Sequence, residues 1–252
     1  MIDSHTHIHI KNNYGDLLKN AEYAGVTKLL NIICLNQETI SDFEHIKSFE
    51  KNTKIKVYYS MGVHPAEINK TNLKQAYQYM EDNQENLIAF GEAGLDMYEA
   101  KNETEQLESF ADHVQLCQKY NKTLIIHTRQ CDVSLLLSIL KNSNIRFLFH
   151  CWTFGIKETK MVLEAGGIIS FSGIITFKNT DYLQESLSYC PMDRILLETD
   201  APWLAPVPLR GTENESAYVK YIYDWVSKAK KIDNLKELMQ QNFNNAFNLS
   251  DV

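Results

Sequence analysis

Thr123-Leu-Ile-Ile126 is a short apolar run that stops at His127, and Arg146-Phe-Leu-Phe149 is a second that stops at His150. Between them, about Val133 to Lys141, apolar residues recur at helical spacing. Continuously apolar strands joined through a helix read as neighbours in a parallel sheet covered on both faces. The unit decides the fold because it recurs in both directions. Towards the N-terminus, a helix over about Glu103 to Tyr120 follows the strand Leu87-Ile-Ala-Phe-Gly91, which ends at Glu92. Before that come a helix over 72–83 and the strand Lys56-Val-Tyr-Tyr-Ser-Met-Gly-Val63, ending at His64-Pro65. A helix from about Glu38 to Phe49, the strand Thr27 to Ile33, a helix over Tyr14 to Ala24 punctuated by Gly25, and the opening strand Ile2-Asp-Ser-His-Thr-His-Ile8 complete the first half. Towards the C-terminus, a helix over about Lys157 to Ala165 leads to Ile168-Ile-Ser-Phe171, and a helix over Tyr182 to Tyr189 leads to Arg194-Ile-Leu-Leu197. That last strand ends at Glu198-Thr199-Asp200, and helices over about Ser216 to Ala229 and Leu235 to Leu249 close the chain.

About eight such strands in 252 residues fit an α/β TIM (β/α)8 barrel of the metal-dependent hydrolase type, one domain spanning residues 1–252. An open doubly wound sheet would use fewer strands and usually begin with a glycine-rich phosphate loop, and the sequence has no such loop.

Composition narrows the setting. The five cysteines, Cys34, Cys117, Cys131, Cys151 and Cys190, are odd in number and scattered, which argues against a disulfide framework or a structural zinc knuckle. The first ten residues carry Asp3 and three histidines and do not read as a signal peptide. No apolar run approaches the roughly 20 residues of a membrane span. A cytoplasmic monomer without membrane contact is expected. The formal net charge of −7 repels nucleic acid globally, so a phosphate-bearing ligand would need local cations or metals.

The strands end one after another in ionisable residues: His5 and His7, His64, Glu92, His127, His150 and Asp200. In a barrel these ends converge on one mouth, where active sites sit. On a strand, His5 and His7 face one way and Thr6 the other. Four histidines and two carboxylates exceed the three protein ligands of one catalytic zinc and suit two divalent ions joined by a carboxylate. Glu92 is the expected bridge, because Gly91 before it permits close backbone approach. His5, His7 and Asp200 would complete one shell, and His127 and His150 the other. A water between the ions would ionise near neutral pH, and Asp200 would orient it or accept its proton. Glu92 and Asp200 are therefore the catalytic candidates. Such ligands accept Mg, Mn, Zn, Co or Ni.

Together these motifs resemble the TatD family of metal-dependent deoxyribonucleases, within the wider amidohydrolase-like barrels. The resemblance rests on Asp3-Ser-His-Thr-His7, Gly62-Val-His-Pro65, Gly91-Glu-Ala-Gly-Leu-Asp96, Ile126-His-Thr-Arg129, Phe149-His-Cys-Trp152, Phe171-Ser-Gly-Ile-Ile-Thr-Phe177, and Glu198-Thr-Asp-Ala-Pro-Trp-Leu-Ala-Pro206 continuing to Arg210-Gly211. It implies a two-metal barrel that hydrolyses phosphodiester bonds in DNA or oligonucleotides, often from an end. It places the same six residues as metal ligands, and His64 and Arg129 near the substrate phosphate. Thr212 and Glu213 stand where the family usually has basic residues, which removes local attraction for a phosphate backbone, and Ser216 stands where it has proline.

Other residues admit two readings. Arg129 clamps a phosphate or bridges to a neighbouring loop. Trp152 and Trp203 stack on bases or pack loops. Arg210 contacts a phosphate or belongs to its loop. Asp96 is expected to orient a ligand histidine, and Cys151 to be buried and inert. Tyr218, Tyr221, Ile222 and Trp225 are expected in the core. Two other functions stay open: hydrolysis of a small cyclic amide or ester on the same metals, and a catalytically silent binding protein. The many barrels that bridge their metals with a modified lysine differ from this chain, which has Glu92 there.

Overall fold

The computed structural model describes residues 1–10, 13–36 and 43–250. Eight strands run β1 (Ile2–Thr6), β2 (Lys28–Cys34), β3 (Lys56–Gly62), β4 (Ala89–Asp96), β5 (Thr123–Arg129), β6 (Phe147–Phe149), β7 (Ile168–Phe171) and β8 (Ile195–Leu197). Each pairs in parallel with the next, in chain order. The helices are α1 (Tyr14–Tyr23), α2 (Phe43–Ser48), α3 (Leu73–Asp82), α4 (Glu103–Tyr120), α5 (Val133–Leu140), α6 (Ile156–Glu164), α7 (Asp181–Tyr189), α8 (Val219–Lys230) and α9 (Leu235–Ala246). The expected TIM barrel is therefore the fold. Residues 38–42 of the helix expected from Glu38 lie outside the described residues.

Side chains are shared between two cores. Ile2, Leu30, Ile32, Tyr58, Ala89, Ile125, Leu148 and Leu196 fill the barrel, and Phe243, Ala246 and Phe247 of α9 and its end plug one opening. The alternate strand residues, such as Leu29, Ile33, Phe90, Leu124, Ile126 and Phe149, pack outward against the helices. On α8 the buried face is Val219, Ile222, Tyr223 and Val226. Tyr218, Tyr221 and Trp225 are only half-buried, so of the expected quartet Ile222 alone lies in the core proper.

Two strands break the simple alternation, and both breaks serve the mouth. On β1, Asp3 pairs with Leu29 but Thr6 with Asn31, so β1 spends one residue more than β2. Strict alternation from the inward Ile2 would turn Thr6 inward and His5 and His7 away. The bulge reverses this phase. On β4, Phe90 pairs with Leu124 and Ala93 with Ile126, another extra residue, placed at Gly91-Glu92. Gly91 has φ +113°, and a Cβ there would lie 2.4 Å from the Ile125 carbonyl oxygen, so only glycine fits. Pairing resumes beyond this bulge to Asp96 opposite Arg129, so Glu92 lies inside β4 and not at the strand end expected from sequence.

The barrel closes between β8 and β1. The Asp200 N–H donates to the His5 carbonyl (3.0 Å) and the His7 N–H to the Ala201 carbonyl (2.7 Å). Fully buried Asp3 accepts from the Thr199 N–H (2.8 Å) and hydroxyl (2.6 Å). Ser216 donates from its hydroxyl to Thr6 (3.3 Å). Burial pushes the Asp3 carboxyl up to about 7, against the pull of these hydrogen bonds.

Buried His113 on α4 fixes the end of β3. Its Nδ1–H donates to the Ser109 carbonyl (2.7 Å), which leaves Nε2 to accept from the Val63 N–H (3.1 Å), next to His64. Burial lowers its pKa from 6.5 to about 4. The unfolded chain binds this proton below about pH 6.5 and the native fold only near 4, so the stabilisation is complete above 6.5 and is lost as pH falls towards 4. We predict that His113→Phe, which orphans the Val63 N–H, lowers stability by about 1–3 kcal/mol at pH 7.5. The variant should also lose less stability than the parent on acidification from pH 7 to 5. Denaturant titration at the two pH values checks both, and parallel losses would refute the assignment.

Candidate active site

Glu92 sits at the bottom of a cavity of about 720 Å³ at the mouth, lined among others by His7, Cys34, His64, Asp96, His127, Arg129, His150, Asp200 and Trp203. The carboxylate is 3% exposed, so its charge has almost no water to stabilise it. Imidazoles replace the water. Oε2 lies 2.5 Å from His150 Nε2 and 3.6 Å from both His5 Nε2 and His127 Nδ1. Oε1 lies 3.6 Å from His7 Nε2 and 4.0 Å from His64 Nε2. Asp200 Oδ1 reaches to 3.7 Å from His5 Nε2 and 3.6 Å from His7 Nε2. All six residues expected as metal ligands thus meet at one place. Ligand atoms of His5, His7 and Asp200 form one tight group, and those of Glu92, His127 and His150 another.

The outer partners of the histidines decide which ring nitrogen faces inward. His7 Nδ1 donates to the Ile32 carbonyl (3.0 Å), so its Nε2 is bare. His127 directs Nε2–H to Asp96 (3.2 Å), so its Nδ1 is bare and faces Glu92. His150 turns Nδ1 to Glu198, 3.4 Å away, and Nε2 to Glu92. His64 is the opposite case. Its Nδ1 accepts from the Ala66 N–H (3.1 Å), which leaves a hydrogen on the Nε2 that faces the cavity. Bare nitrogens suit metal ligation, and the His64 N–H suits donation to an oxygen. His5 stacks flat on His150, with centroids 3.9 Å apart.

Electrostatics divide the imidazoles into two sets. Burial lowers His5 well below its usual value, His7 to about 4 and His64 to about 3, so all three are neutral at pH 7. Burial would raise Glu92, yet His150, His127 and His64 hold it well below the usual carboxylate range. Burial would likewise raise Asp96, but its bond to His127 and the backbone amides of Glu99 and Tyr98 bring it to about 2. For His127 and His150, burial is outweighed by carboxylates, Asp96 and Glu92 for the first and Glu92 and Glu198 for the second. Asp200 is pushed up to about 8, chiefly by burial and by Glu198 and Glu92 despite His150.

A set of four imidazoles and two carboxylates, buried together with ring nitrogens 3.1 Å apart in the pairs His5–His7 and His127–His150, is what divalent cations require. The donor set therefore fits divalent metal.

The remaining expected residues divide. Trp203 is half-exposed, lines the cavity and meets the His7 ring edge-on at 5.2 Å. Arg129 lines the cavity but is engaged, with Nη1 2.9 Å from Glu99 Oε1 and its guanidinium over the Tyr98 ring. Arg210 lies over the Phe177 ring. Trp152 corrects an expectation: it is 1% exposed, packs on Phe149 and Phe154, and donates Nε1–H to Thr159 (3.0 Å), so it cannot stack on a base. Cys151 corrects another, being half-buried at the cavity wall with its N–H on Glu198 (2.7 Å). Its φ of +46° and that of Asp200 (+55°) are left-handed, a conformation side-chain-bearing residues rarely adopt, and both turns flank the cavity. Sequence reasoning passed over Glu198, fully buried behind His150, although it directly follows an apolar strand as the ligands do. It also passed over Cys34, whose Sγ lies 3.4 Å from Glu92 Oε1.

Known proteins share both sequence and fold. The family model described as TatD related DNase matches residues 2–248. YcfH of Escherichia coli (strain K12), an uncharacterized metal-dependent hydrolase, is 31% identical over 260 residues, 99% of this chain and 96% of its own. A like-named protein of Buchnera aphidicola subsp. Baizongia pistaciae (strain Bp) is 34% identical over 245 residues, 93% of this chain and 89% of its own. Among solved structures, the E. coli TatD homologue YjjV superposes with a TM-score of 0.85 at 23% identity, over 100% of this chain and 98% of that one. The E. coli phosphotriesterase homology protein, complexed with phosphate in its active site, shares the fold with a TM-score of 0.73 at 13% identity, over 98% of each chain. By the family model and by identity over nearly its whole length, this chain belongs to the TatD family of metal-dependent hydrolases.

Proposed function

We propose that this metal-dependent hydrolase cleaves phosphodiester bonds in DNA or short oligonucleotides, working from chain ends. Two divalent ions would be held on either side of Glu92, one by His5, His7 and Asp200 and the other by His127 and His150. The observation that carries this reading is the sorting of the imidazoles. His7 and His127 turn bare nitrogens towards Glu92, His150 brings Nε2 to within 2.5 Å of it, and His64 presents an N–H. Ions so held supply Lewis acidity at a phosphoryl oxygen and acidify a water to near neutrality.

The chain does the rest. Glu92 stays ionised and central. His64 donates its Nε2–H to a phosphate oxygen. Asp200, ionised when it holds an ion, would take up the proton released as water attacks. Trp203 offers an exposed ring for a terminal base, and stacking of this kind is worth about 1–3 kcal/mol per base. The same reading takes the protein as a cytoplasmic monomer, in keeping with its scattered cysteines. No helix among the described residues is long and apolar enough to cross a membrane.

One observation favours a second substrate class. The cations nearest the mouth are already engaged, Arg129 by Glu99 and Arg210 over Phe177, and Thr212 and Glu213 are exposed where basic residues would serve a backbone. A small uncharged ester or cyclic amide would need none of them.

The deciding measurement is hydrolysis of end-labelled single-stranded DNA, metal-free and with Mg or Mn added, beside Glu92→Gln. Metal-dependent shortening is expected from the parent, and a loss of at least about a thousandfold in kcat from the variant with its melting transition retained. A variant that keeps near-parental turnover would sink the central role of Glu92. Intact DNA beside turnover of a small ester would move the protein to the second class. At the rim, Arg129→Ala is expected to raise KM for the oligonucleotide with metal content unchanged. Glu99→Gln, which releases Arg129, should lower KM by up to about fivefold, the worth of an exposed ion pair. An identical KM in all three proteins would reduce Arg129 to a loop contact.

A further inference from the structure

Cys34 closes β2, between the two strands that lead to His7 and His64. Its Sγ is 3.4 Å from Glu92 Oε1. The same oxygen is 3.6 Å from His7 Nε2. The ligating atoms of His7, Cys34 and Glu92 all lie within 4.8 Å of one another, the separation at which one ion touches three donors. The group shares His7 with that of His5, His7 and Asp200 and shares Glu92 with that of Glu92, His127 and His150, so the sulfur is placed as a further donor to the ion that His7 would hold. Two of its members are nine-tenths buried or more, and the bare nitrogen of His7 is aimed into it. Cys34 lines the cavity, so an ion arriving from the mouth reaches the sulfur without passing through the core.

The chemistry of the third donor matters. Imidazole and carboxylate tolerate hard and borderline ions alike, whereas a thiolate binds Zn and Co well and Mg or Mn poorly. A hydrogen bond from the thiol to Glu92 accounts for the sulfur–oxygen distance alone. It does not account for the His7 nitrogen that lies 3.6 Å from the same oxygen.

We propose that Cys34 is a thiolate ligand which, with His7 and Glu92, forms a coordination site for a borderline-soft divalent ion on the Oε1 side of Glu92. The inference rests on the reading that His7 and Glu92 hold metal. On binding, the sulfur–hydrogen bond breaks, the proton leaves to solvent and a sulfur–metal bond forms, with no change of oxidation state. The sulfur would tilt the centre towards zinc or cobalt and away from magnesium.

The test is optical and needs no turnover. Metal-free protein is titrated with Co²⁺, and the near-ultraviolet thiolate-to-cobalt charge-transfer band is recorded beside the visible ligand-field bands. The parent should show both. Cys34→Ser and Cys34→Ala should keep ligand-field bands and lose the charge-transfer band, and Cys151→Ser should keep it. Zinc affinity, measured by competition with a chromophoric chelator, should fall at least about tenfold in both Cys34 variants, with Mg²⁺ affinity within about twofold of the parent. Ligand-field bands without charge transfer in the parent, or charge transfer that survives loss of Cys34, would overturn the assignment while leaving the His and carboxylate centre intact. Failure of the parent to bind cobalt at all would overturn both this site and the metal centre it extends.

Discussion

Burying the Glu92 carboxylate at the mouth of the barrel is the constraint from which much of this structure follows. A carboxylate that is 3% exposed has to find its stabilisation in the protein. Here it comes from imidazoles on and just after β1, on β5, and in the turns after β3 and β6, which only a closed sheet brings to one point. The bulges at Gly91-Glu92 and between Asp3 and Thr6 are the backbone adjustments that let the carboxylate and His5 and His7 face each other across the barrel. Gly91 has no substitute at its position, since a Cβ would strike β5.

Around this centre, carboxylates and carbonyls one layer out set the tautomers. The Ile32 carbonyl and Asp96 each take the outer side of an imidazole, so the hydrogen goes outward and the lone pair inward, and Glu198 lies behind His150. The Ala66 amide does the reverse for His64. One residue type thereby presents two faces within a single cavity, lone pairs suited to metal ligation and an N–H suited to donation. The difference lies in the groups behind each ring.

The mouth outside this centre is sparing with positive charge. The chain is acidic overall, and Arg129 and Arg210 are held by an ion pair and by aromatic rings. Attraction for a polyanion must then come mainly from ions held in the centre. Under the proposed reading, such a surface suits ends and short substrates better than long duplexes, whose binding depends on many phosphate contacts. Trp203 adds an exposed, uncharged ring to the cavity wall.

The sequence by itself determined the barrel and the identity of the six residues gathered at its mouth. Apolar strands and amphipathic helices alternate with a regularity that permits little else. An ionisable residue directly after a run such as Leu124-Ile-Ile126 or Phe147-Leu-Phe149 has to lie at or near a strand end. What only the tertiary structure decided was everything that depends on phase and on the layers behind the ligands. The inward turn of His5 and His7 needs the register of β2, and the continuation of β4 past Glu92 to Asp96 needs the register of β5. Trp152 looks in sequence much like Trp203, each close after an expected ligand, yet one is sealed against Phe149 and Phe154 and the other stands at the rim. Glu198 follows an apolar strand and Cys34 ends one, but neither position in the chain says which atoms will face it. Their roles arise from what β6 and β4 bring next to them, and such distances are properties of the closed barrel.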